Sequence, residues 1–124
     1  MALLITPEQW AEYKQGARAR WLAERRQIAT RRMRAQQLAR VAADLLKAQF
    51  GVTRVALFGS LIHAGRFHLH SDVDLAVWGL TATNWLRAMS AVAALARDIE
   101  INLVDIETCS PELLSVIERE GIEL

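Results

Sequence analysis

The sequence predicts an α+β fold: a small mixed or antiparallel sheet with helices on one face, preceded by a long basic helix. Three observations carry this. Strong helix formers dominate from Pro7 to Phe50. The apolar period then switches to extended segments at residues 53–58, 72–78 and 99–106, and amphipathic helical segments separate or follow those strands. At 124 residues the chain holds one core, and 52% hydrophobic with 23% charged residues excludes a disordered tail or a fibrous repeat.

The first helix opens at Thr6-Pro7-Glu8-Gln9. Thr6 caps, Pro7 lacks only an amide that would be unpaired there, and Gln9 completes a capping box. Up to Phe50 only Gly16 is a poor helix former, so one long helix or two stacked ones are expected. Its later part carries a wide apolar stripe, Leu38, Val41, Ala42, Leu45, Leu46 and Phe50, which must face a core. Its earlier part carries only Trp10, Tyr13, Ala17, Trp21 and Ile28, with Arg18, Arg20, Arg25, Arg26, Arg31, Arg32 and Arg34 around the cylinder, so it projects or wraps. Residues 1–37 are accordingly read as a basic helical extension and 38–124 as the folded domain.

After Gly51 comes a strand, Thr53–Phe58, running into the turn Gly59-Ser60. A short helix over Leu61–Gly65 and a loop over Phe67–Ser71 lead to a second strand, Asp72–Trp78, stopped by Gly79. An amphipathic helix over Thr83–Arg97 precedes a third strand, Ile99–Ile106. Ser110-Pro111-Glu112 opens a last helix that Gly121 ends, and Ile122-Glu123-Leu124 adds a short edge strand.

Charge is unevenly divided. Residues 1–50 carry ten Lys/Arg against four acids, and residues 51–124 carry five against ten. A basic segment on an acidic body attracts nucleic acid, nucleotide phosphates, an acidic partner, its own body or a second copy. The single Cys109 forms no intramolecular disulfide, which suits a reducing, cytoplasmic setting. The run Ala2-Leu3-Leu4-Ile5, followed at once by Pro7, fits neither a signal peptide nor a membrane span.

The chemistry-bearing segment is Leu57-Phe58-Gly59-Ser60-Leu61-Ile62-His63-Ala64-Gly65-Arg66, followed by Ser71-Asp72-Val73-Asp74-Leu75. Two positions apart on a strand, Asp72 and Asp74 project from one face while Val73 points the other way. Two carboxylates side by side on an otherwise apolar strand repel and are partly desolvated. Mg²⁺, with its preference for carboxylate oxygen, supplies the counter-charge. Gly59 lets a backbone approach a phosphate, and Ser60, opening a helix, offers hydroxyl and amide groups to an anion. Separately, Gly-Ser is a common turn and Asp-x-Asp a common strand end; strands on both sides and the fixed offset from Ser60 to Asp72 make the pair a site.

These residues, with the Ala64-Gly65-Arg66 turn, resemble the signature of the minimal nucleotidyltransferases, within the DNA-polymerase-beta-like superfamily. The resemblance covers about residues 38–124. It implies that Gly59 and Ser60, with Arg66 and Ser71 nearby, bind nucleotide, and that Asp72 and Asp74 hold Mg²⁺ to orient ATP. It also implies transfer of a nucleoside monophosphate to a hydroxyl with release of pyrophosphate. Relatives this small resemble antitoxins of two-gene modules that adenylylate or mask a helical ribonuclease toxin of the HEPN type. The expected partners are therefore ATP and such a toxin, or a second copy through the N-terminal helix.

The family's third aspartate, on the next strand, is replaced by Asn102 in Ile101-Asn102-Leu103-Val104. An amide oxygen still binds metal but carries no charge and accepts no proton at neutral pH. Glu100 lies on the same face by strand parity and is the candidate substitute; Asp105 points to the other face. This departure favours, as a rival, a nucleotide-binding partner protein that has lost turnover. A second rival is an RNA-associated protein using the arginine helix. His63, His68 and His70 lack zinc spacing and read as loop histidines, with His70 and Arg66 as candidates for contact with nucleotide phosphate or base.

Overall fold

The computed structural model describes residues 4–124. Of the Ala2–Ile5 run, Ala2 and Leu3 lie outside the described residues. Among the described residues no helix is long and apolar enough to cross a membrane.

The first helix, α1, is a single element, Pro7–Phe50, of 44 residues and so ~66 Å long. Both halves of the capping box at Thr6 and Gln9 are formed (Gln9 N to Thr6 Oγ1 3.1 Å, Thr6 N to Gln9 Oε1 2.9 Å). Gly51 stops the helix in the left-handed region, φ 69°, where its N–H reaches the Leu46 carbonyl. Up to Gln27 the helix is exposed on every side except at Gly16 and Ala17, so it projects rather than wraps. Lys14 lies over the Trp10 ring and Arg25 over Trp21, partly shielding two tryptophans that remain 47% and 56% exposed. From Ile28 onward it packs on the body, crossing residues 37–38 without a break.

The core-facing line of α1 is made of Ala35, Ala39, Ala42, Ala43 and Leu46, all buried, with Leu38, Leu45 and Phe50 flanking it. Val41, expected in this stripe, is exposed instead. The helix lies close to the sheet through its alanines, which rotates the valine to the far side.

The sheet has order β3-β2-β1-β4, with β1 Arg54–Phe58, β2 Val73–Trp78, β3 Ile101–Asp105 and β4 Ile122–Glu123. Strands β1 and β2 pair antiparallel, β4 pairs antiparallel with β1, and β2 pairs parallel with β3 through the crossover helix α2, Ala82–Ala93. The sheet is thus mixed, as expected. Helix α2 ends four residues earlier than the sequence suggests, at a turn over Ala94 and Leu95. Strand β3 is shorter at both ends, although Ile99 still enters the core.

Strand parity sorts the sheet into two faces. Val55, Leu57, Val73, Leu75, Val77, Ile101 and Leu103 join α1 and α2 in the main core. Ala56, Phe58 and Ala76 meet Ile117 and Leu113 of α3, Pro111–Glu120, on the other side. Helices expected on one face therefore divide: α1 and α2 cover one side and α3 the end of the other. The reason is local. Ala56 and Ala76 are small enough for a second helix to lie on them, and the β4 pairing holds the C-terminus against β1.

Candidate active site

The second face, beside the area that α3 covers, carries the polar residues. In the ladder Phe58 pairs with Asp74, and Asp74 pairs with Asn102. Asp72 stands one residue before β2, on the same side by parity. Asn102 Nδ2 donates to Asp74 Oδ1 at 3.1 Å. Strand pairing therefore brings together the two aspartates and the asparagine that were expected to share a face.

Gly59 follows Phe58 in the left-handed region, φ 82°, and a Cβ placed on it would sit 2.4 Å from Asp74 Oδ2. Glycine is required twice, by its backbone and by the carboxylate lying against it. It opens a one-turn 3₁₀ helix, Gly59–Ile62, that holds Ser60 half-exposed beside the aspartates, with the Ser60 carbonyl accepting from His63 N at 3.1 Å. This turn begins two residues earlier than expected. Gly59→Ala should cost about 1–2 kcal/mol of stability from the backbone alone. It should also push the Asp74 carboxylate out of place, so that a urea melt and a metal titration both register the change.

Asp74 is half-buried, and among the described residues no Lys or Arg forms an ion pair with it or with Asp72. Burial pushes the Asp74 carboxyl above its ordinary value, the Asn102 N–H partly opposes this, and the Asp72 charge adds to the rise. A raised carboxyl is stabilising only while protonated. Its contribution is full below the unfolded value near pH 3.8 and is lost as pH climbs through the folded value. Asp74→Asn should accordingly raise the unfolding midpoint of the metal-free protein at pH 7, with the gain fading below about pH 4. Thermal melts in a chelator across that range check both sign and window.

The donor set fits a hard divalent cation. Two carboxylates share one side, neither has a cationic partner among the described residues, and Mg²⁺ characteristically takes one or two carboxylates and completes its shell with water and phosphate oxygen. Asn102 turns its N–H toward Asp74, an arrangement that supports the carboxylate and leaves the amide oxygen as an uncharged acceptor.

The other expected residues lie less centrally. Glu100 is exposed just before β3, and its backbone carbonyl accepts from Val73 N at 2.9 Å. Arg66 is exposed on the connecting turn, its N–H on the His63 carbonyl at 2.9 Å. Ser71 is buried, with its Oγ accepting from His68 N at 2.9 Å, so its hydroxyl braces the loop. His68 and His70 are exposed, while His63 Nε2 lies 3.4 Å from Glu120 Oε2 of α3. That link between the 3₁₀ turn and α3, and the arginine contacts of α1 with the loops, carry no local sequence signal because their partners are distant in the chain. Arg31 and Arg32 are half-buried against the body, and Arg34 pairs with Asp98, so three members of the arginine run are engaged internally.

Comparison with known proteins bears on family and fold. Residues 42–124 match the family model described as "Polymerase beta, Nucleotidyltransferase". No curated protein matches the sequence significantly. Among solved structures, a candidate minimal nucleotidyltransferase is 29% identical, with 78% of this chain and 95% of that chain covered and a TM-score of 0.57. A toxin–antitoxin structure with AMP-PNP is 26% identical over 64% of this chain and 66% of that one, TM-score 0.53. A complex of tri-AMPylated Shewanella oneidensis HEPN toxin with its MNT antitoxin is similar in fold, at 22% identity over 72% and 70%, TM-score 0.53.

Proposed function

The chain belongs to the polymerase beta nucleotidyltransferase family, and from that premise we propose that it is the antitoxin of a two-gene module, binding ATP with Mg²⁺ and either transferring AMP to a HEPN-type ribonuclease toxin or masking it. The single observation that carries the reading is the juxtaposition of Gly59 with the Asp74 carboxylate, beside Asp72 and Ser60. The similarity to a toxin–antitoxin structure with AMP-PNP supports the choice of nucleotide and of a toxin as partner, and the antitoxin found with an AMPylated HEPN toxin shares the fold.

In this reading the Gly59-Ser60 turn receives the triphosphate, and Asp72 and Asp74 are the residues that would hold Mg²⁺. When bound, that ion neutralises phosphate charge and orients the α-phosphorus. An acceptor hydroxyl forms the new P–O bond as the α–β anhydride breaks and pyrophosphate leaves. Asn102 holds the Asp74 carboxylate in place but takes no proton, so the hydroxyl proton goes to Glu100 or to water. Catalysis is then mostly positioning, and turnover is slow. The exposed stripe of Trp10, Tyr13 and Trp21 on the projecting helix offers the toxin an apolar docking surface.

Calorimetry with AMP-PNP, with and without Mg²⁺, tests the binding step, and the intact mass of a co-expressed helical toxin incubated with ATP tests transfer. Magnesium-dependent binding with little or no added AMP is the expected outcome. Absence of AMP-PNP binding in magnesium would sink the reading.

A further inference from the structure

Arg31 and Arg32 are neighbours on α1, and each reaches backbone oxygens far along the chain. Arg32 places Nε and Nη2 on one acceptor, the Leu61 carbonyl, at 3.3 and 3.2 Å. Arg31 splits its guanidinium between two, with Nη2 on the Ser71 carbonyl at 3.0 Å and Nη1 on the Asp98 carbonyl at 2.9 Å. Leu61 is the residue after Ser60, Ser71 is the residue before Asp72, and Asp98 lies in the segment leading into β3 and Asn102. All three carbonyls sit in loop or 3₁₀ backbone, where no sheet ladder fixes them.

We infer that Arg31 and Arg32 are positioning residues of the nucleotide site: Arg32 anchors the turn bearing Ser60, and Arg31 anchors the start of the aspartate strand to the approach of β3. The inference rests on the reading of Gly59, Ser60, Asp72 and Asp74 as the nucleotide and metal site. One rigid helix thereby sets the spacing between phosphate turn and carboxylates. Arginine suits both places. Its charged N–H groups make strong bonds to carbonyls, and its planar fork spans two acceptors as a lysine ammonium on a flexible stem does not. A helix that served only to cover the core would need its alanines and Leu46, not guanidinium groups aimed at these particular carbonyls.

The test uses the full chain with Arg31→Ala, Arg32→Ala, Arg31→Lys and Arg32→Lys, and Arg20→Ala on the exposed part of α1 as control. Amide hydrogen exchange without nucleotide is read first. Arg32→Ala should speed exchange at His63 and Arg66, whose N–H groups close the turn, by roughly tenfold or more. Arg31→Ala should do the same at Ser71 and Val73, while the β1–β2 ladder keeps its protection. In calorimetry with AMP-PNP and Mg²⁺, both alanine variants should lose roughly ten- to hundredfold in affinity. Arg32→Lys should recover much of that loss, having one acceptor to reach, and Arg31→Lys little, having two. Uniformly faster exchange, ladder included, would mean that the arginines only stabilise the fold and would overturn the inference, as would loosened loops with unchanged affinity. A wild-type chain that fails to bind AMP-PNP overturns instead the nucleotide reading, and the exchange pattern then decides the anchoring alone.

Discussion

Magnesium-dependent AMP-PNP binding should fall roughly hundredfold or more in the double variant Asp72→Asn, Asp74→Asn. Both carboxylates are on one side, Asp74 within β2 and Asp72 one residue before it. Amides keep the size and hydrogen-bonding capacity of the side chains, and the amide oxygen introduced in place of the Asp74 carboxylate would still accept from Asn102 Nδ2, so the sheet should survive. What is removed is charge. The metal-free double variant should be at least as stable as the natural chain at pH 7, because the raised Asp74 carboxyl opposes folding there. Calorimetry in magnesium and a thermal melt in chelator separate the two effects. Unchanged affinity would show that these carboxylates hold no metal.

Replacing Asn102 by Asp should raise AMP transfer by roughly ten- to ten-thousandfold, the range over which an added metal ligand or general base acts. The substitution puts a carboxylate directly beside Asp74, its ladder partner on β2. Without metal the added charge should push Asp74 still higher and lower the melting midpoint at neutral pH. With magnesium that deficit should shrink, and the metal-induced shift in midpoint should exceed that of the natural chain. Intact-mass measurement of the toxin over time gives the rate. Should the natural chain prove fast, and Glu100→Gln rather than Asn102→Asp change the rate, Glu100 supplies the missing carboxylate despite its exposed place before β3.

Local rules determined a great deal of this protein. The capping box at Thr6, the left-handed stop at Gly51 and the proline-led start at Pro111 involve groups a few residues apart, so their geometry is written in adjacent letters. Strand parity likewise placed Asp72 and Asp74 on one side, because a two-residue period allows nothing else. The replacement of a third acid by Asn102 was legible only through the resemblance to the nucleotidyltransferase signature, which expects an aspartate on the next strand. The tertiary structure decided where distant segments meet. Parallel pairing of β2 with β3 set Asp74 against Asn102, the β1–β2 turn brought Gly59 against the Asp74 carboxylate, and β4 held α3 on the face that the sequence left open. It also turned Val41 to solvent, since α1 approaches through alanines whose small size, not hydrophobicity, selects the contact line. The arginine run is the sharpest case. From the sequence it is a basic helix face, yet Arg31 and Arg32 end on carbonyls 29 to 67 residues away. No periodicity encodes such bonds, because any backbone carbonyl is an acceptor and only the fold selects which ones a guanidinium reaches.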